Sequence, residues 1–290
     1  MRTALLFVAI AATACSKYTA PDAPPLAVET PPASATVPVL VPLWVAEGFS
    51  DPEGVALAPD GTYFISNVAG GDIDEDGAGW ISKLSADGAV LVDRWADNLA
   101  APKGMAVAGG VLYVADIDRV RTFDAASGAP AATIPIDGAK FLNDATVWGG
   151  EVFVSDSGTA RIWRLSAAGP VVWREGPELS GVNGLLGAGD LMFVSTMTSG
   201  SLYEAKSDGG WREIANGMKD ADGIGVVPGG GWLVSSWPGE IYHVSADGAV
   251  KSVLNTRDEG VLQNDLTTFG DVVIVPNWEP GTVTAWRLEE

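Results

Sequence analysis

Asp51-Pro52-Glu53-Gly54-Val55-Ala56 returns downstream as Ala101-Pro102-Lys103-Gly104-Met105-Ala106. Four shorter echoes follow: Leu142-Asn143-Asp144-Ala145, Val182-Asn183-Gly184-Leu185, Ala221-Asp222-Gly223-Ile224 and Gln263-Asn264-Asp265-Leu266. Each opening leads into a short apolar run, a Gly- or Asp-bearing turn, and a strongly β-forming segment such as Tyr63-Phe64-Ile65-Ser66, Val152-Phe153-Val154-Ser155 or Trp232-Leu233-Val234-Ser235. A third segment alternates large apolar with polar residues, as in Arg161-Ile162-Trp163-Arg164-Leu165, which marks a strand with one wet face. Asp87-Gly88 and Asp247-Gly248 then reverse the chain into a fourth strand, since Asp-Gly tolerates positive φ. Six repeats of four strands, about 40 to 50 residues apart, predict an all-β, six-bladed β-propeller of four-stranded blades.

The sixth repeat ends with Gly281-Thr282-Val283-Thr284-Ala285-Trp286-Arg287-Leu288, leaving no chain for an outer strand. Pro42-Leu43-Trp44-Val45-Ala46-Glu47, ahead of the first repeat, resembles the outer strand Leu91-Val92-Asp93-Arg94-Trp95-Ala96 and is expected to complete the last blade. Such closure by an N-terminal strand removes a free sheet edge.

The propeller is expected over residues 41–290, preceded by two other segments. Residues 1–15 read as a signal segment: Met1-Arg2, an apolar run from Ala4, then Ala12-Thr13-Ala14-Cys15. Cys15, the single cysteine, sits where a bacterial lipobox carries its acylated thiol; the other reading is an ordinary signal peptide from which Cys15 is discarded. Ser16 resembles outer-membrane sorting. The expected location is therefore exported and lipid-anchored at the outer membrane, facing the periplasm. Residues 16–40, rich in Pro and Ala, read as an extended tether.

The formal net charge of −20 repels a phosphate backbone, which excludes nucleic acid as a partner. The abundance of 36 Gly and 18 Pro suits many short strands and tight turns, and helices should be almost absent. The membrane is expected to be touched only through the anchor, leaving a small molecule, or an envelope protein, as the partner.

In a propeller the first strand of each blade lines the central channel, so Glu53, Lys103, Asn143, Asn183, Asp222 and Asn264 should gather at one mouth. Turn chemistry explains any one of these residues, since Asn-Gly and Asp-Gly favour turns; a ligand-binding mouth explains why a polar residue directly precedes every inner strand. Two carboxylates and several amide carbonyls offer hard oxygen donors, a set that suits calcium, with magnesium or manganese as alternatives. Zinc would want His or Cys.

At these residues the chain resembles the senescence marker protein, gluconolactonase and regucalcin family of six-bladed propellers, by blade pattern over about residues 43–290. The resemblance implies a hydrolase of lactones and related esters that uses a divalent metal. It implies that Glu53, Asn183 and Asp222 hold the ion, that Asn143 fixes substrate or water, and that Asp222 also takes the proton from water. Lys103 departs from the pattern: it either pairs with Glu53 or Asp222 in place of the metal, or holds an acidic group of the substrate. The likeness extends to NHL-repeat and paraoxonase-like propellers, many of which bind without catalysing, so a noncatalytic binding propeller is the alternative.

Asp72, Asp74 and Asp76, in Asp72-Ile73-Asp74-Glu75-Asp76-Gly77, form a second candidate cation loop, although Lys83 stands where a calcium loop places its last Glu; an exposed acidic turn is the other reading. His243, the single histidine, falls on a third strand, and no Gly-x-Ser-x-Gly elbow is present. Arg119 and Arg121 are expected on a wet outer strand. Trp237 and Trp278 follow second strands, where they either pack between blades or shape a pocket.

Overall fold

The structure, a computed structural model, describes residues 36–289. The signal segment, Cys15 and most of the tether lie outside the described residues. Six antiparallel sheets follow one another along the chain, five of them simple four-stranded meanders. Blade one, for example, runs Pro52–Leu57, Tyr63–Asn67, Gly79–Leu84 and Val90–Leu99. Among the described residues the helical segments are two short 3-10 turns, Pro177–Leu179 and Arg257–Glu259.

The sixth blade is built from both ends of the chain. Val272–Glu279 and Thr282–Glu289 form its middle, and Val39–Glu47 pairs antiparallel with Thr282–Glu289 as its outer strand. The closing strand begins at Val39, two residues before the expected domain start. The inner strand of this blade is split into Leu262–Gln263 and Thr267–Phe269, with Asn264 and Asp265 between the halves.

The apolar core is a ring of layers between neighbouring blades. Phe64, Ile81 and Leu99 of blade one meet Leu112, Val114 and Phe123 of blade two, and equivalent clusters fill each later seam. The last seam joins Ala46, Ile274, Val283 and Ala285 of blade six to Val55, Tyr63, Ile65 and Leu84 of blade one. Ala46 comes from the closing strand, and the Trp44 indole N–H donates to the Ala86 carbonyl of blade one at 3.1 Å. The N-terminal strand therefore completes both a sheet and the final seam.

Deleting residues 41–47 should remove those contacts together and lower the melting temperature by about 10 °C or more. A calorimetric scan of the truncated protein checks this; an unchanged midpoint would show that the closing strand contributes nothing to the ring.

Candidate active site at the channel mouth

The inner strands share one irregularity. Their pairing with the second strand breaks between Pro52 and Val55, Pro102 and Met105, Leu142 and Ala145, Val182 and Leu185, and Ala221 and Ile224. Each break is a bulge that leaves two residues unpaired, namely Glu53-Gly54, Lys103-Gly104, Asn143-Asp144, Asn183-Gly184 and Asp222-Gly223. The bulged backbone N–H is satisfied in four blades by a buried serine of the second strand. Ser66 accepts from Gly54 at 2.7 Å, and Ser155, Ser195 and Ser235 accept from Asp144, Gly184 and Gly223 at 2.8 Å.

The repeated glycine has a different origin from turn formation. Gly54, Gly104, Gly184 and Gly223 are absent from the positive-φ residues. A Cβ on Gly54 would lie 2.8 Å from the Lys103 carbonyl, and one on Gly184 would lie 2.4 Å from that of Asp222. Adjacent inner strands approach too closely at the axis for a side chain to pass between them. The bulge therefore sends the preceding polar residue toward the mouth while the glycine admits the next blade.

All six openers line one cavity of about 370 Å³. Glu53, Lys103, Asn143, Asn183, Asp222 and Asn264 are each buried. Burial in the carboxylate cluster lifts Glu53 well above the usual carboxylate range; Lys103 pulls it down and Asp222 pushes it up. Burial raises Asp222 to about 7, against the opposing effects of Lys103 and a hydrogen bond from Asn183. That bond leaves the Asn183 carbonyl oxygen buried with no hydrogen-bond partner. Ser195, which accepts the Gly184 N–H, also donates to the Asp222 carbonyl and so ties the Asn183 and Asp222 segments together.

A divalent cation fits these residues on two counts: the donors are hard oxygens, and one of them is an orphaned buried carbonyl that an ion would satisfy. Among the described residues no group of three or more His, Cys, Asp or Glu side chains is arranged to hold a metal, so a site here depends on the Asn183 amide.

Lys103 makes an ion pair that neither sequence alternative included. Its ammonium lies 3.0 Å from Asp72 of blade one, and 4.9 and 6.0 Å from the rings of Phe141 and Trp278. Phe141, Met197, Trp237 and Trp278 give the mouth its apolar wall, with Trp237 and Trp278 edge to face at 6.2 Å. Asp156 accepts the Phe141 backbone N–H at 3.1 Å and fixes that wall. The sequence reading missed Phe141 and Met197, which belong to connections rather than repeats.

The acidic loop divides its carboxylates. Asp72 turns to Lys103, Asp74 accepts the Gly71 N–H at 3.2 Å, and Asp76 accepts that of Ala78 at 2.8 Å. Arg119 and Arg121 sit on the third strand of blade two, Arg119–Asp124, rather than on an outer strand. Arg119 contacts Glu75 and Asp118, while Arg121 donates to the Asn98 carbonyl at 2.9 Å. His243 is buried on the third strand of blade five beside the Gly230 carbonyl, and burial lowers its pKa.

Two more aspartates, unpredicted as site residues, occupy the bulges of blades three and six. Asp144 accepts the N–H groups of Leu185 and Ala145 at 2.6 and 2.7 Å, and Asp265 that of Leu266 at 2.7 Å. Both face channel space yet have protein around them; burial lifts Asp144 to about 7 and Asp265 well above its usual range. Both also line a second cavity of about 490 Å³ that includes the later residues of the inner strands.

No protein-family model matches the chain, and no curated protein matches it. Solved structures do. A gluconolactonase of Xanthomonas campestris superposes with a TM-score of 0.65 at 18% identity, over 95% of this chain and 100% of that one. A putative gluconolactonase gives 0.62 at 17% identity, covering 87% and 92%. Virginiamycin B lyase of Staphylococcus aureus gives 0.61 at 13% identity, covering 85% and 99%. These likenesses establish the six-bladed propeller fold.

An unfolded aspartate releases its proton near 3.8, whereas folded Asp222 holds it to about 7. Between those values the folded state binds the extra proton, so this group's stabilising contribution is greatest at the acidic end and is lost as pH rises through 7. Metal-free protein should therefore melt higher at about pH 5.5 than at about pH 8, and calcium should recover the difference at the higher pH. Thermal scans with chelator and with calcium measure both effects; a midpoint that climbs with pH under chelator would contradict the buried carboxylate cluster.

Proposed function

We propose that the protein is a divalent-metal-dependent hydrolase of a lactone or related small ester. The observation that carries this reading is the orphaned carbonyl of Asn183, buried beside Asp222 in a cavity that also holds Glu53. Glu53, Asn183 and Asp222 would hold the ion, with calcium favoured by the all-oxygen donor set. Such an ion supplies Lewis-acid polarisation of the ester carbonyl.

The chain's own residues account for the remaining chemistry. Asp222, with a proton affinity near neutrality, is matched to removing a proton from water near neutral pH. Water oxygen bonds to the carbonyl carbon, the ring carbon–oxygen bond breaks, and the departing oxygen takes up a proton, leaving a hydroxy acid. Asn143 orients the substrate or water from the inner strand of blade three. The aromatic wall excludes bulk solvent from the ester.

The gluconolactonase neighbours support this reading beyond their shared fold only by analogy. The lyase neighbour supports its own chemistry less well. Its histidine-to-alanine variant is catalytically inactive, whereas the single histidine of this chain, His243, is absent from the residues lining the mouth.

A panel of lactones assayed with calcium, magnesium and manganese tests the proposal. Asp222→Asn should lower kcat by about a hundredfold or more, and Asn183→Ala should weaken calcium binding measured by calorimetry. Calcium binding without turnover of any lactone would leave a noncatalytic binder. We also place the activity in the cell envelope, anchored through Cys15. In cells, Cys15→Ala should move the protein from the membrane to the soluble fraction, and an unchanged distribution would remove the anchor.

A further inference from the structure

The connection between the second and third strands contributes Asp72, Met197 and Trp237 to the mouth in blades one, four and five. It spans two to four residues in blades two to six but eleven in blade one, from 68 to 78. This long connection is the source of Asp72. It is fastened to blade two at two points, Asp72 to Lys103 at 3.0 Å and Glu75 to Arg119 at 3.1 Å. Only the first contact lies in the cavity; Arg119 and Glu75 are outside its lining.

Lys103 is the single cation among the residues lining the mouth, and its side chain is 4% exposed. Three carboxylates, Glu53, Asp72 and Asp222, line the same cavity. A divalent ion at Glu53 and Asp222 would balance their charge, leaving Lys103 balanced by Asp72. An incoming anion then finds Lys103 already paired, and an ion pair with that ammonium would require it to displace Asp72. A neutral molecule with an apolar ring meets Phe141, Met197, Trp237 and Trp278 without that cost.

We propose that Asp72 is a specificity-determining residue: by occupying Lys103 it makes the mouth select neutral, aromatic or apolar-ring ligands and reject carboxylates. This rests on the reading of the mouth as the substrate cavity. For an ester hydrolase it has a second effect, because hydrolysis converts a neutral lactone into a carboxylate. With Lys103 already engaged, the product carboxylate gains no ion pair from that ammonium to hold it in the mouth.

Benzamide and benzoate share a ring and differ in charge, so they isolate this property in calorimetric titrations of the full protein with a chelator present, where no bound ion can take up the carboxylate. Native protein should bind benzamide and should bind benzoate at least about tenfold more weakly. Asp72→Asn should raise benzoate affinity by about tenfold, the scale of one charge-assisted hydrogen bond, and leave benzamide unchanged. Glu75–Arg119 and the turn contacts of Asp74 and Asp76 keep the loop in place in this variant. Adding Lys103→Met to Asp72→Asn should abolish the gain. The proposal is overturned if native protein binds benzoate as tightly as benzamide, if it binds neither, if Asp72→Asn leaves benzoate unchanged, or if the gain survives loss of Lys103. The readout involves no turnover. A protein that shows the selectivity but hydrolyses no lactone loses only the hydrolase reading, and an active lactonase without it loses only the role of Asp72.

Discussion

Six inner strands converge on an axis where there is no room for a Cβ between four of the neighbouring pairs. The consequences run outward from that crowding. Glycine is required at the contact, the ladder breaks there, and the freed N–H must find a partner because it is buried. A serine one strand away supplies it in four blades. The polar side chain just before the glycine is thereby carried to the mouth, held by backbone geometry on a rigid sheet. Blade two has Ala115 and blade six has Pro276 at the serine position, so the device is tolerant of exceptions. In blade six the Asn264 N–H turns instead to the Pro276 carbonyl at 3.0 Å.

Crowding at the axis also concentrates charge. Asp222 raises the proton affinity of Glu53, Asp144 and Asp265, and Asp144 raises that of Glu53 and Asp265, in addition to the larger effect of burial. Such a cluster is costly in isolation, and the seams of large apolar side chains provide the stability that offsets it. The two aspartates without a glycine counterpart belong to blades three and six, on opposite sides of the six-blade ring. Asp144 reaches across to the Leu185 N–H of blade four, which links neighbouring blades where glycine would leave a gap.

The fold was legible because its signal is periodic: six copies of an opener followed by a β-forming strand identify blades even where individual strands are short. The closing strand was legible because the last repeat lacked a partner and Trp44 resembled Trp95. The mouth was legible only for residues inside the repeat. Asp144 and Asp265 stood in the quoted motifs, but turn chemistry explained Asn-Asp as readily as Asn-Gly; the contrast between Asp and Gly at one repeat position was the available signal. Phe141 and Met197 carry no periodic signature, and their positions depend on how connections fold over the axis. The spacing of Asp72, Asp74 and Asp76 suggested a shared ion, whereas tertiary contact draws Asp72 alone to Lys103. Sequence cannot register that attraction, because its two members belong to different blades.

The outer strand of the final blade is also the earliest described strand of the chain. Its partner, Thr282–Glu289, is the latest described strand, so the closing strand must wait until every other strand of the propeller has been made before its sheet can form. The polar mouth takes one contributor from every blade and inherits the same delay. A nascent chain that ends before Asn264 lacks the last of the six openers, and the circle of blades joins only when the closing strand has met Thr282–Glu289.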